Sequence, residues 1–218
     1  MYIAIEGVIG VGKTSLARLL QPSYEANVLL EIFEENPFLA NFYQDRARYA
    51  FQTQIFFLLS RYHQQRKSVP DYLAMGKPLI SDYTFEKDAI FANTNLVGDE
   101  LEMYYAVHEA LAEKIPLPNL VVYLRADTDV LMQRITLRDR SYERAMERDY
   151  IDLLNKAYDE YFLSPPAQRQ VLVLDTNELD FVHSEQDLQL VDNRIRQTLH
   201  LPPFQPELPI EKKDPLEA

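Results

Sequence analysis

The segment GVIGVGKTS, which begins at residue 7, combines glycines with a lysine and two residues that carry hydroxyl groups. It fits the pattern G-x-x-x-x-G-K-[ST], in which glycines let backbone N–H groups approach phosphate oxygens. The following helix adds its positive N-terminal dipole, lysine a point charge, and threonine a hydroxyl for Mg²⁺. We therefore predict a site for MgATP, whose phosphates contact Gly7, Gly10, Gly12, Lys13, Thr14 and Ser15.

A second group of cations lies in the segment RITLRDRSYER, which begins at residue 134. Arg134 and Arg138 are four residues apart on one helical face, and Arg140 follows just beyond them. Converging guanidinium groups stabilise charge on a transferring phosphoryl group, and a closing lid excludes water. We predict an arginine-bearing lid over about 138–150, with all three arginines on the phosphates. The alternative is a solvated basic face paired with Asp127, Asp129 and Asp139.

Short β-branched runs alternate with longer helical patterns, which is typical of a parallel sheet flanked by helices. The predicted strands are 2–7, 27–33, 78–83, 119–125 and 170–175. The predicted helices are 13–20, 38–67, 84–94, 99–114, 128–138, 144–163 and 184–199. We therefore expect an α/β P-loop NTPase fold, a three-layer sandwich with a five-stranded parallel sheet. Residues 1–200 should form one domain, followed by a flexible, proline-rich charged tail at 201–218.

Composition narrows the class of protein further. The net charge of −12 argues against a nucleic-acid polymer as partner, because such proteins usually carry a basic face. The chain has no cysteine, and its four histidines lack metal-ligand spacing. No segment approaches the roughly 20 apolar residues of a membrane span, and the start MYIAIEG is typical of a buried strand. We expect a cytoplasmic protein with small-molecule partners and no membrane partner.

The helical pattern NFYQDRARYAFQTQIFFLLSRYH places three polar side chains on one face. In one continuous helix, Tyr43, Gln54 and Arg61 would fall within about 20° of each other. Gln54 has apolar neighbours along this helix. An amide in such a setting can pair with the edge of a nucleic-acid base, and the aromatic side chains nearby can cover the ring of that base. The alternative is an amide that is satisfied inside the core.

These segments resemble the deoxynucleoside kinases, in particular the bacterial deoxyadenosine and deoxyguanosine kinases. The resemblance runs from residue 1 to about 199 and includes LEIFEENPF, which is similar to the family's E-P-V-x-x-N-P segment. It implies that Glu31 is the general base for the acceptor's 5′-hydroxyl, although Ile32 replaces the usual proline. Glu34 and Glu35 are close enough to be confused with Glu31.

The same resemblance assigns the other contacts. Tyr43 and Asp159, the latter in KAYDEYF, match the residues on the sugar 3′-hydroxyl. Gln54 and Arg61 match the base-reading pair, and Asp88 matches the acidic residue that works with the arginine. LRDR resembles the lid's R-G-R, and ELDFVHSEQD resembles the loop on the adenine of ATP, near Asp180 and Phe181.

The segment SDYTFEKD departs from the family's D/E-R-S/T pattern. Asp82 fits the acidic position that helps to hold Mg²⁺, but Tyr83 stands where an arginine normally follows. Lys87 is four residues farther on, which places it on the same helical face as Tyr83. The D-Y-x-x-x-K arrangement also resembles a deoxyguanosine-kinase subgroup. We hypothesise that Lys87 supplies the displaced positive charge near Glu31.

The resemblance implies an ATP-dependent 5′-kinase for purine deoxynucleosides, with deoxyguanosine slightly favoured over deoxyadenosine. Its catalytic residues would be Glu31, Lys13, Arg138 and Lys87, and the enzyme would be a homodimer. A nucleoside monophosphate kinase of the thymidylate-kinase type shares the loop and the lid but needs cations for the acceptor's phosphate. A weakly catalytic regulatory subunit is the third possibility, and Tyr83 is its only support.

Overall fold

One parallel sheet of five strands organises the computed structural model, which describes residues 1–33, 35–164 and 169–204. Because the strands are parallel, each is joined to the next by a helical crossover connection. In chain order they are β1 (Tyr2–Glu6), β2 (Asn27–Leu29), β3 (Leu79–Ser81), β4 (Leu120–Arg125) and β5 (Val171–Asp175). Their spatial order is β2-β3-β1-β4-β5, so the expected five-stranded parallel sheet is confirmed.

Helices connect the strands and cover the sheet. The first half of the chain contributes α1 (Lys13–Tyr24), α2 (Leu39–Gln44), α3 (Arg46–Ala74) and α4 (Lys87–Asn95). The second half contributes α5 (Gly98–Ala112), α6 (Thr128–Arg138), α7 (Arg148–Phe162) and α8 (Glu185–Thr198). Among the residues that the structure describes, no helix is both long and apolar enough to cross a membrane.

The core lies around β1, which occupies the middle of the sheet. Ile3 pairs with Ile80 on one side and with Leu120 on the other, and all three are fully buried. Both faces of a covered parallel strand are buried, which accounts for the apolar runs in β1 and β4. Glu6, the last residue of β1, is fully buried as well. The carboxyl end of the central strand thus brings a carboxyl group into the interior.

Several predicted bounds differ from the structure, and two of the differences matter for the site. The strand predicted at 27–33 ends at Leu29, because its partner β3 is only three residues long and pairs Leu29 with Ser81. The helix predicted at 38–67 is divided at Asp45, whose backbone leaves the helical region at φ −146° and ψ 83°. The Asp45 side chain accepts a hydrogen bond from the Arg48 N–H at 3.2 Å and thereby caps α3.

Two further expectations concern irregular segments. In the stretch predicted as a lid, α6 ends at Arg138, a 3₁₀ turn covers Ser141–Glu143, and α7 begins at Arg148. Asp139 has φ 47°, the left-handed conformation that ends α6. Of the predicted flexible tail at 201–218, residues 205–218 lie outside the described residues.

Candidate active site

Several of the predicted functional residues meet above the carboxyl ends of β1, β2 and β3, where open α/β sheets bind ligands. A pocket there is lined by Lys13, Glu31, Tyr43, Arg61, Lys87 and Arg138 among others. A second cavity of about 690 Å³ lies beside it, between the phosphate-binding loop, α6 and residues 177–183. Gly10 and Arg138 line both spaces, so the two join at the loop.

The loop requires glycine for steric reasons. Gly7, Gly10 and Gly12 have φ values of 146°, 90° and 103°, which side chains rarely allow. A Cβ at Gly7 would lie 2.4 Å from the Leu124 carbonyl oxygen, and one at Gly10 would lie 2.8 Å from a carbon of Ile135. The loop therefore packs directly onto β4 and α6.

A Gly7→Ala substitution should lower the free energy of unfolding by about 3 kcal/mol, because it adds a backbone clash to an unfavourable φ. Chemical denaturation would measure the change. Gly76→Ala is the matched control, since Gly76 also has a positive φ, 70°, but open space around its Cα. An equal loss in the free energy of unfolding for the two variants would show that the contact with Leu124 is unimportant.

Lys13 folds back over its own loop. Its ammonium donates to the carbonyl oxygens of Gly7 at 2.6 Å and Val8 at 3.1 Å. Burial, together with the nearby Lys87 ammonium, lowers the pKa of Lys13 to about 7. Burial thus disfavours the charged form of Lys13, and a phosphate bound at the loop would favour it.

Asp82 joins the phosphate-binding loop to the segment that follows β2. Its carboxylate accepts from the Thr14 hydroxyl at 2.5 Å and from the Glu31 N–H at 2.8 Å. Among the described residues, no three histidine, cysteine, aspartate or glutamate side chains are grouped to hold a metal by themselves. One hydroxyl and one carboxylate fit Mg²⁺, which keeps several waters and takes its other ligands from phosphates. The residues predicted for magnesium, Thr14 and Asp82, thus form a suitable oxygen pair.

Two cations hold Glu31. The Arg61 Nε donates to Glu31 Oε1 at 2.9 Å, and the Lys87 ammonium donates to Oε2 at 2.5 Å. Burial opposes a charge on the Glu31 carboxylate, but Arg61 and Lys87 outweigh it and keep its pKa well below its usual range. Glu31 is therefore an ionised, oriented carboxylate inside the pocket.

Arg61 also pairs with Asp88, so it lies between two carboxylates. Burial raises the pKa of the Asp88 carboxyl to about 7, although Arg61 opposes the rise. The Arg61 guanidinium lies 4.6 Å from the centre of the Phe57 ring, and Phe57 lines the same pocket. The wall formed by α3 thus combines an aromatic face with hydrogen-bonding groups.

The break at Asp45 makes the single-helix argument for Tyr43, Gln54 and Arg61 wrong, because Tyr43 lies on α2 and the other two on α3. Tyr43 still lines the pocket with Arg61, and its ring stacks on Tyr142 at 6.3 Å between ring centres. Gln54 is buried, and its Oε1 has no hydrogen-bond partner among the described residues. The oxygen of this buried amide is thus unpaired among the described residues.

The assignment of Asp159 to the sugar needs correction. Its carboxylate accepts from Arg125 Nε and Nη2, both at 2.9 Å, and from the Tyr123 hydroxyl at 2.8 Å. Those partners belong to β4, and Asp159 does not line the pocket that contains Tyr43. The Asp159 carboxylate, which the resemblance assigned to the sugar, is therefore engaged by Arg125 of β4.

Glu143 is the carboxylate that sequence reasoning missed. It is buried, lines the pocket with Tyr43, and accepts from Arg138 Nη2 at 2.7 Å with both oxygens. Arg140 lies 3.6 Å from the same carboxylate. The spacing Arg-x-Arg-x-x-Glu across residues 138–143 places an acidic residue among the lid arginines, but it does not show which side chains pair.

Arg134 lies apart from the other two arginines. Its guanidinium donates to the carbonyl oxygens of Thr176 at 2.6 Å and Leu179 at 3.3 Å, and so fixes the loop that follows β5. Arg140 instead lies 4.2 Å from the centre of the Phe33 ring. The predicted convergence of three guanidinium groups therefore applies here to Arg138 and Arg140 only.

The loop after β5 forms one wall of the second cavity. Phe181 is buried, and a Cβ at Gly12 would lie 2.9 Å from its ring, so the ring packs directly on the phosphate-binding loop. Asp180 is exposed and shapes the turn, since its carboxylate accepts from the N–H groups of Val182 and His183 at 3.3 and 3.1 Å. Both residues predicted for adenine line this cavity, as does Ser15.

The chain is similar in sequence to proteins of known function. A model of the family described as deoxynucleoside kinase matches residues 3–200. The chain belongs to the deoxynucleoside kinase family. A deoxyguanosine kinase of Bacillus subtilis (strain 168) is 33% identical over 201 residues, which are 91% of this kinase and 97% of that protein. A deoxyadenosine kinase of Dictyostelium discoideum is 31% identical, over 87% of this chain and 77% of its own length.

Solved structures agree with the family assignment. A deoxyadenosine kinase from M. mycoides with bound dCTP matches this kinase with a TM-score of 0.78 and 27% identity. The match covers 90% of this chain and 100% of the other. The same enzyme with bound dATP matches with the same TM-score. The fold is therefore that of nucleotide-binding kinases of this family, and the predicted family is confirmed.

Proposed function

We propose that this kinase transfers the γ-phosphoryl group of ATP to the 5′-hydroxyl of a purine deoxynucleoside, with deoxyguanosine ahead of deoxyadenosine. The main support is the Glu31 carboxylate, which Arg61 and Lys87 hold ionised in a pocket that Lys13 also lines. The 33% identity to a deoxyguanosine kinase and the D-Y-x-x-x-K segment favour the purine.

In the proposed reaction, the phosphates of ATP lie on the loop at residues 7–15 and its adenine lies beside Phe181. The 5′-oxygen attacks the γ-phosphorus while its proton passes to a Glu31 carboxylate oxygen. The bond between the γ-phosphorus and the bridging oxygen breaks, and ADP leaves with that electron pair. Phosphoryl transfer depends mainly on alignment and charge neutralisation, so a weakly basic but fixed carboxylate is sufficient.

Cations surround the transferring group in this proposal. Lys13 supports the phosphates from the loop, and Arg138 and Arg140 approach from the predicted lid at 138–150. Mg²⁺, when bound with the triphosphate, supplies further positive charge, and Thr14 and Asp82 are the residues that would hold it.

The acceptor would lie between α2, α3 and the lid. Tyr43 and Glu143 line the same pocket and provide a hydroxyl and a carboxylate for the sugar's 3′-hydroxyl. Arg61 lines this pocket and would face the base. Gln54 and Asp88 are buried and lie outside the pocket lining, so their proposed part in base recognition depends on the unpaired Gln54 Oε1, which can accept a hydrogen bond, and on the pairing of Asp88 with Arg61. An uncharged sugar fits this mixture better than a second phosphate does.

The deciding experiment is phosphorylation of the four deoxynucleosides, and of dTMP, by the purified chain with MgATP. Turnover highest with deoxyguanosine, then deoxyadenosine, is expected. Phosphorylation of dTMP alone would instead indicate a nucleoside monophosphate kinase of the thymidylate-kinase type. ATP binding without turnover of any acceptor would favour the weakly catalytic regulatory subunit.

Glu143 and Asp159 can be compared directly. Glu143→Gln should raise the KM for the deoxynucleoside about tenfold, because a charged hydrogen bond worth roughly 1.5–3 kcal/mol is weakened. Asp159→Asn is the matched control, and its deoxynucleoside KM should stay at the wild-type value. Steady-state kinetics at saturating MgATP would measure both, and the opposite pattern would restore Asp159 to the sugar site.

We also propose that the kinase is a cytoplasmic homodimer that packs through helices, as the family resemblance implies. The neighbouring helices α3 and α5, which expose Leu59 and Met103, are the ones we expect at the interface. Light scattering should therefore give about twice the chain mass of 25.5 kDa. A mass of one chain at micromolar concentration would contradict the dimer.

A further inference from the structure

The backbone at Glu31 lies outside the regular sheet, since β2 ends at Leu29. Side chains hold it from both sides. The Glu31 N–H donates to Asp82 Oδ1 at 2.8 Å, and the Leu30 carbonyl oxygen accepts from Gln64 Nε2 at 2.8 Å. The other end of that amide, Oε1, accepts from the Tyr83 hydroxyl at 2.5 Å. A chain of two hydrogen bonds thus runs from Tyr83 through Gln64 to the residue before Glu31.

We propose that Tyr83 and Gln64 are positioning residues that set the place of the Glu31 carboxylate. The proposal rests on the proposed role of Glu31 as the general base. Gln64 extends from α3 and Tyr83 follows β3, so the two bonds fix the irregular segment after β2 to two regular elements. Without these bonds, Asp82 would be the only described residue whose hydrogen bonds hold the backbone next to Glu31.

Each partner suits this task. Tyr83 is fully buried in an apolar cluster with Val69 and Leu79, so packing fixes its ring. Burial also raises the pKa of the Tyr83 hydroxyl far above its usual value, which keeps it a donor at neutral pH. Because that hydroxyl donates to Oε1, the Gln64 amide must point its NH₂ group toward the Leu30 carbonyl oxygen. The tyrosine therefore determines the orientation of the glutamine.

This arrangement gives Tyr83 a role at a position where most of the family carries arginine. The positive charge beside Glu31 comes from Lys87 and Arg61, whose nitrogens contact the carboxylate. Tyr83 acts on the backbone instead, through Gln64. The positive charge beside Glu31 and the placement of its backbone thus come from separate side chains, where one arginine would combine the two.

Tyr83→Phe and Gln64→Leu test the proposal. Each should lower kcat roughly tenfold, because small misplacements of a catalytic group are costly in phosphoryl transfer. The KM for MgATP should stay unchanged. The double variant should be no worse than either single variant, since both interrupt the same chain. Tyr83→Phe keeps the buried ring and Gln64 is only half-buried, so both variants should fold.

Two comparisons separate positioning from general destabilisation. Tyr62→Phe removes another buried tyrosine hydroxyl from α3, one bonded to Arg66 at 2.9 Å, and should leave kcat unchanged. In a Glu31→Gln background, adding Tyr83→Phe should cause no further loss. A Tyr83→Phe variant with wild-type kcat, alongside an impaired Glu31→Gln enzyme, would overturn the positioning role alone. An active Glu31→Gln enzyme would instead overturn the proposed base.

Discussion

A Glu31→Gln variant should lose about a thousandfold in kcat, within the range of general-base catalysis, while it still binds MgATP. The amide cannot accept the proton of the 5′-hydroxyl, and it also weakens the ion pairs with Arg61 and Lys87 that orient the wild-type carboxylate. The loop residues that would contact ATP are unchanged. Single-turnover kinetics and calorimetric titration with MgATP would separate chemistry from binding.

Glu35→Gln is the matched control, because Glu35 is exposed and does not line the pocket. Its kcat should equal that of the wild type. Thermal unfolding of both variants would show whether the unpaired cations of Glu31→Gln have destabilised the fold. A Glu31→Gln enzyme within about tenfold of the wild-type kcat would exclude Glu31 as the general base.

A Lys87→Ala variant should lose about a hundredfold in kcat, comparable to the loss of one group that stabilises transition-state charge. Lys87 is one of the two cations on Glu31, and its ammonium is almost fully buried. Removing it also takes away one of the charges that keep the Glu31 pKa low. That pKa should rise, so the acid limb of the kcat/KM profile should move to higher pH in the variant.

Two substitutions provide the comparison for Lys87. Lys77→Ala removes an exposed lysine and should change neither kcat nor the pH profile. Lys87→Arg keeps the charge and should recover part of the lost rate, although the larger planar group fits the site less well. Wild-type turnover by Lys87→Ala would refute the idea that this lysine replaces the family's arginine.

Patterns within single segments predicted the fold and the loop well. Alternation of β-branched runs with helical stretches predicted all five strands, because covered parallel strands must be apolar. The glycine conformations of the loop at residues 7–15 were predictable because its motif needs positive φ values, whereas its contacts with phosphate stay a prediction.

Contacts between segments were harder to predict. Helical periodicity gives relative directions only along an unbroken helix, so the cap at Asp45 removed the basis for placing Tyr43 relative to Gln54. Asp159 and Glu143 are both acidic, and only the fold decides which of them meets Arg125 and which meets Arg138. Likewise, the sequence does not indicate that Arg134 will bond to carbonyl groups after β5.

The middle position of β1 in the sheet also affects how the chain matures on the ribosome. β1 is synthesised first, but its two neighbours, β3 and β4, are complete only at Ser81 and Arg125. The loop after β1 rests on Leu124, and its outer side rests on Phe181, which emerges later still. A nucleotide bound at this loop would therefore stabilise the chain only after most of its length is made, and the apolar β1 lacks one of its two neighbouring strands until residue 125.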